Sequence, residues 1–133
     1  MQWGDALMRG IFRACLLTGS LALAGTASQA AGLNPFGPTG LPLNDQDYAA
    51  MQAAADPLRN DDTLPIGTTR DWSNPVSGNR GSITLEERFQ YDYQGSQLPC
   101  RKLRYHAVVR GYSDPYNIRL NFCRIADGSW KIL

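Results

Sequence analysis

The sequence predicts an α+β fold, with an N-terminal helix packed on an antiparallel meander of four to five short strands and one disulfide. Three observations predict it. Tyr48, Met51, Ala55 and Leu58 recur at helical spacing, and from Ile83 the apolar period falls to two. Turn signals at Asn74-Pro75, Ser77-Gly78-Asn79, Gly95-Ser96 and Asp127-Gly128 cut the alternating stretch into short strands. Cys100 and Cys123 fall in that β-rich half, behind an export-like leader, where a structural bridge is expected.

The leader reads as a signal peptide over residues 1–30. Arg9 and Arg13 give a positive n-region, and Cys15-Leu16-Leu17 through Ala24-Gly25 is apolar. Ser28-Gln29-Ala30 is a small-x-Ala cleavage site, so the mature chain should begin at Ala31. Met8 is a cleaner start than Met1, because Asp5 sits far forward for such a leader. The rival reading is a retained anchor. A spanning helix needs about 20 apolar residues, and this run is shorter and interrupted by Gly, Ser and Thr. Phe12-Arg13-Ala14 before Cys15 is not the approach to a lipidated cysteine. Removing Cys15 with the leader leaves an even pair of cysteines. The expected location is the periplasm or the outer membrane and cell surface, with peripheral association in the latter case.

Residues 31–42 carry Pro35, Pro38, Pro42, Gly32, Gly37 and Gly40 and read as a linker before a single domain over residues 43–133. Asn44 can cap the helix, and Asp45 and Asp47 suit its first turn. Pro57 should end it near Asp56. Thr68 to Trp72 reads as a short strand. In the next strand Ile83, Leu85, Glu87, Phe89, Tyr91 and Tyr93 should share one face. Leu103, Tyr105, Ala107 and Val109 follow on a third strand, and Ile118, Leu120 and Phe122 on a fourth. Leu103, Tyr105, Leu120 and Phe122 are the expected core.

Cys100 shares a strand face with Lys102 and Arg104, and Cys123 shares one with Arg119 and Asn121. A two-residue type II′ turn at Gly111-Tyr112 would set Cys100 opposite Cys123, Leu103 opposite Leu120 and Tyr105 opposite Ile118. A turn at Ser113 to Tyr116 has the better turn composition but slips the cysteines apart. The cysteine register is preferred, because two lone cysteines in an exported domain should meet. Asp127-Gly128 should close a further hairpin that pairs Ile125 with Trp130 and Cys123 with Ile132. That pairing would put apolar residues on both faces near the C-terminus, so the face that the helix covers stays open.

The net charge of +1 hides an asymmetry. Residues 31–65 hold five aspartates against Arg59, and residues 66–133 hold ten Lys/Arg against six Asp/Glu. Lys102, Arg104, His106 and Arg119 would cluster on two paired strands as an anion-binding face. The same charges also serve solubility and deter edge pairing. No catalytic or metal-binding residues are assigned and no cofactor is expected. His106 is the only histidine, and the two domain cysteines are spoken for. Glu86 and Glu87, adjacent on a strand, should point to opposite faces and not act together. Nucleic acid is not expected as a partner of an exported chain with this composition.

The ordered set Trp72-x-Asn74-Pro75, Gly78-x-x-Gly81, Cys100-Arg101, Cys123-Arg124 and Asp127-Gly128-x-Trp130 resembles the C-terminal domain of bacterial 17 kDa surface-antigen-like proteins. The likeness covers residues 43–133. It implies an exported, non-enzymatic cell-envelope protein with a structural or interaction role, often lipid-anchored in the outer membrane. This chain departs from the pattern in having neither a lipobox nor a glycine-zipper segment. The alternative is a small periplasmic or secreted binding or inhibitor protein that uses the basic strand face. The expected partners are an envelope protein or an anionic lipid or glycan.

Overall fold

The computed structural model describes residues 35–133. The leader, its cleavage site and the first residues of the linker lie outside the described residues.

Helix α1 spans Asp45–Asn60. Its start is set by a capping box: the Asn44 side chain accepts the Asp47 N–H, and the Asp47 side chain accepts the Asn44 N–H, each at 2.9 Å. Such a cap stabilises by about 1 kcal/mol. Met51, Ala55 and Leu58 are fully buried, and Tyr48 packs against the same core. Pro57 does not end the helix, contrary to the sequence expectation. A proline forfeits the bond to the carbonyl four residues back and costs about 3 kcal/mol in a helix interior. Here it lies in the last turn. Burial of Leu58 and the Asp61 N–H donating to the Pro57 carbonyl hold that turn closed.

Five strands follow: β1 Thr69–Ser73, β2 Arg80–Tyr93, β3 Ser96–Val108, β4 Tyr116–Arg124 and β5 Trp130–Ile132. They form one sheet in the order β1-β2-β3-β4-β5, every neighbouring pair antiparallel. The α+β meander expected from the sequence is therefore the fold. The helix covers the face that carries Trp72, Ile83, Leu85, Leu103, Tyr105 and Phe122. Leu120, expected in the core, is only half-buried; the main contacts of α1 are with β1 and β2. Phe36, from the stretch read as a linker, is buried and packs edge-on against Tyr105 at 6.2 Å. Residues 35–42 are thus part of the domain.

The cysteine register holds. Cys100 stands opposite Cys123, Leu103 opposite Leu120 and Tyr105 opposite Ile118. The Cα atoms of the bridged cysteines are 4.1 Å apart, and both residues are fully buried. The connection differs from the two-residue turn expected. Tyr112 N–H bonds the Val109 carbonyl, so Arg110 and Gly111 are the central pair, with Gly111 at φ +87°. The chain then takes until Tyr116 to rejoin the sheet. Turn chemistry alone therefore did not fix the register; the core faces and the bridge did.

Two other registers overturn sequence expectations. An extra residue in β2 makes a bulge between Leu85 and Glu87. Beyond it the faces exchange, so Phe89, Tyr91 and Tyr93 lie on the face away from α1 rather than with Ile83 and Leu85. The last hairpin is longer by one residue than Asp127-Gly128 suggested. The Ser129 carbonyl takes the Ile125 N–H, Gly128 sits at φ +86°, and Phe122 faces Ile132 while Arg124 faces Trp130. This is a three-residue loop with glycine in the left-handed position. The one-residue change moves Ile132 from the cysteine face to the core face, where it packs with Trp130.

Candidate functional site

The face of the sheet away from α1 carries the sequence-predicted basic residues. β3 and β4 set Arg104 directly opposite Arg119, and His106 opposite Asn117. Like charges so placed repel. The bulge resolves this by turning Glu86 onto the same face, where it meets Arg104 at 3.2 Å and Arg119 at 2.9 Å. Glu87 meets Lys102 at 2.6 Å. Glu86 and Glu87 therefore share a face, against the strand-alternation expectation, because a bulge breaks the two-residue period. His106 Nδ1 lies 2.9 Å from Asn117 Oδ1. The four basic positions are brought together as expected, but three cations there are matched by two carboxylates. Pairs this exposed contribute about 0–1 kcal/mol each.

Sequence reasoning missed two polar clusters, one at each end of α1. At the N-terminal end Asp47 is fully buried. Its Oδ1 accepts from Asn74 Nδ2 at 2.9 Å and Ser77 Oγ at 2.6 Å, and its Oδ2 from Asn79 Nδ2 at 2.9 Å. Burial raises its pKa, but the donors from Ser77, the Asn44 N–H, Asn79 and Asn74 together outweigh it, so the carboxyl titrates below its ordinary 3.8. Asn79 Oδ1 in turn accepts the Arg110 N–H at 2.9 Å, which ties in the β3–β4 loop. The available signal was the pair of spacings Asn44-x-x-Asp47 and Asn74-x-x-Ser77-x-Asn79.

At the C-terminal end four arginines gather. Arg59, 3% exposed, binds Asp56 and Gln52 and lies 5.3 Å from the Phe122 ring centroid. Arg101 donates to Asp62 at 2.5 Å and to the Cys100 carbonyl at 2.9 Å. Arg101 and Arg124 sit 5.7 and 5.2 Å from the Trp130 ring. Trp130 Nε1 and Arg124 both donate to Asn60 Oδ1. Arg88 holds the α1–β1 loop through the carbonyls of Asp61 and Leu64. Tyr105, beside Arg59, has its phenol pushed up to about 12, chiefly by burial. The signal here was the doubled Cys-Arg and the closing tryptophan.

Among the described residues no three His, Cys, Asp or Glu side chains converge as a metal site. Among the described residues, one open depression lies between Ala50, Ala54, Pro57 and β1, and another beside Arg88, Arg101 and Asp62. Among the described residues no helix is long and apolar enough to cross a membrane.

No protein-family model, curated protein or solved structure matches this chain. Several residues of the sequence motifs have a defined place in the fold. Asn74 and Asn79 hold Asp47, Cys100 and Cys123 form the bridge, and Arg101 and Arg124 flank Trp130. Gly81 is equally constrained: a Cβ there would lie 1.8 Å from the His106 carbonyl oxygen and 2.8 Å from Trp72 Nε1.

Proposed function

We propose that this chain is an exported, non-enzymatic cell-envelope protein with a structural or interaction role, similar to 17 kDa surface antigens. The observation that carries the reading is the buried Cys100–Cys123 bridge behind an export-like leader, which suits an oxidising compartment. Several motif residues support it by serving architecture: Asn74 holds Asp47 at the start of α1, Cys100 and Cys123 form the bridge, and Trp130 bonds Asn60 at the end of α1. The open sheet face is the surface left for contact. Fractionation of the native bacterium with in vivo crosslinking tests the proposal. The protein should partition with periplasm or outer membrane, begin at Ala31 without lipid by intact mass, and crosslink to an envelope component. Recovery in the cytoplasm with free thiols would defeat it.

A second reading is a small binding or inhibitor protein acting through Lys102, Arg104, His106 and Arg119. It is favoured by the excess of one cation over the two carboxylates and by the 61% exposure of the Arg119 side chain. Salt-sensitive binding to vesicles containing lipid A, absent with zwitterionic vesicles and weakened by Arg119→Ala, would support it. Equal binding to both vesicle types would sink it.

A further inference from the structure

β1 and the residues before it pair with β2 only as far as Leu85, whose backbone still bonds Gly67 and Thr68. From Glu87 to Tyr93, β2 is paired with β3 alone. β4 likewise leaves β3 at Cys100. Among the described residues, 88–99 are therefore a two-stranded ribbon with both edges open. A free ribbon is marginal in water, and an open edge presents unpaired N–H and C=O groups.

The two edges differ. The β3 edge contains Pro99, which removes a donor and blunts it. The β2 edge, Arg88-Phe89-Gln90-Tyr91-Asp92, has neither proline nor glycine. Its opposite charges stand symmetrically about Gln90, and Phe89 and Tyr91 stand symmetrically inside them. Gln90 and Asp92 are exposed, and Tyr91 and Tyr93 are 45% and 50% exposed.

We propose that this edge pairs antiparallel with the same edge of a second copy of the chain, Gln90 opposite Gln90 on the two-fold axis. Directly opposed residues of an antiparallel pair share a face. Arg88 of each copy then meets Asp92 of the other on the helix side, and Phe89 meets Tyr91 on the open side. The contact is self-complementary, as an isologous interface must be. Parallel pairing would set arginine on arginine, and a two-residue slip loses both ion pairs, so the charges select direction and register together. Arg88 donates through Nη2 to the carbonyls of Asp61 and Leu64, and Asp92 Oδ1 accepts the Gly95 N–H. The bulge at Glu86 limits the contact to the ribbon, and the turn at Gln94-Gly95 closes its other end. The self-association is independent of the envelope role.

The test uses the exported chain with its native bridge formed. Sedimentation velocity should show a concentration-dependent monomer–dimer equilibrium. Asp92→Asn keeps the turn bond but removes both ion pairs, and should weaken association by roughly tenfold with an unchanged melting curve. Gln90→Cys should crosslink to itself on mild oxidation, since a hydrogen-bonded pair places Cα atoms at about 5.5 Å. Asp92→Cys, offset from its own copy, and Gln97→Cys, on the β3 edge, should not. A chain that stays monomeric at the highest attainable concentration overturns the proposal. So does equal crosslinking at positions 90, 92 and 97, or crosslinking at 92 in preference to 90.

Discussion

At the N-terminal end of α1 one buried carboxylate, Asp47, is held by neutral donors from Asn44, Asn74, Ser77 and Asn79. At the C-terminal end four arginines are held by aromatic rings, carbonyls and the exposed side chains of Asp56 and Asp62. Each sign sits where the helix dipole favours it. The means of burial differ. A carboxylate is strongly hydrated, so all its lone pairs need donors before it can be buried. A guanidinium is weakly hydrated and stacks on rings, so it tolerates unmade hydrogen bonds. Among the described residues, Arg59 Nε and Nη1, Arg88 Nε and Arg101 Nε find no partner, whereas Asp47 is bonded by Asn44, Asn74, Ser77 and Asn79. The carboxylate end should therefore be brittle and the arginine end forgiving.

The largest expected effect is at the brittle end. Asp47→Ala orphans donors on Asn74, Ser77 and Asn79, each costing about 1–3 kcal/mol, and should destabilise by roughly 3–5 kcal/mol in urea titration. The depressed pKa of Asp47 adds a pH signature. Its contribution is fully present above the unfolded value of 3.8 and is lost as pH falls through the lower folded value. Asp47→Ala should flatten the stability profile in that acid range. A cost no greater than that of a change at the arginine end would show that the carboxylate end is not brittle.

The bridge comes next. Cys100 and Cys123 are 23 residues apart and each precedes an arginine that flanks Trp130. Cys100→Ser should cost about 3 kcal/mol in the chain-entropy account. Denatured, unreduced protein should show no free thiol from the pair; two would refute the bridge.

Trp130→Ala probes the forgiving end. It removes a half-buried ring, its bond to Asn60 and two guanidinium contacts. Full burial would make such a change cost about 3–5 kcal/mol; at half burial roughly 2 kcal/mol is expected, read from the melting temperature. On the alkaline side, Tyr105 favours the folded state fully below its ordinary pKa of 10.0, and that contribution fades as pH rises toward about 12. Phenolate absorbance from Tyr105 should therefore appear only with unfolding; its appearance in folded protein near pH 10 would contradict burial beside Arg59.

The smallest effect belongs to the open face. Arg119→Ala should change stability by no more than ~0.5 kcal/mol, because its side chain is 61% exposed and Glu86 keeps Arg104 as a partner. A larger loss would make the charge network structural and unlike a free surface.

The local sequence determined the helix start, the strand alternation and the pairing of Cys100 with Cys123, since capping spacing, two-residue periodicity and matched face parity act within or between short segments. The same rules failed at Glu86 and at Asp127-Gly128, where one extra residue exchanged the faces. They failed at Pro57, where burial of Leu58 outweighed a lost backbone bond. The basic face was legible as a cluster, but its neutralisation was not, because the bulge is what turns Glu86 toward Arg104 and Arg119. The clusters at the ends of α1 were decided only by tertiary structure. Asp47 meets Asn79 across 32 residues and Trp130 meets Asn60 across 70, and no local pattern ranks such partners before the helix has docked.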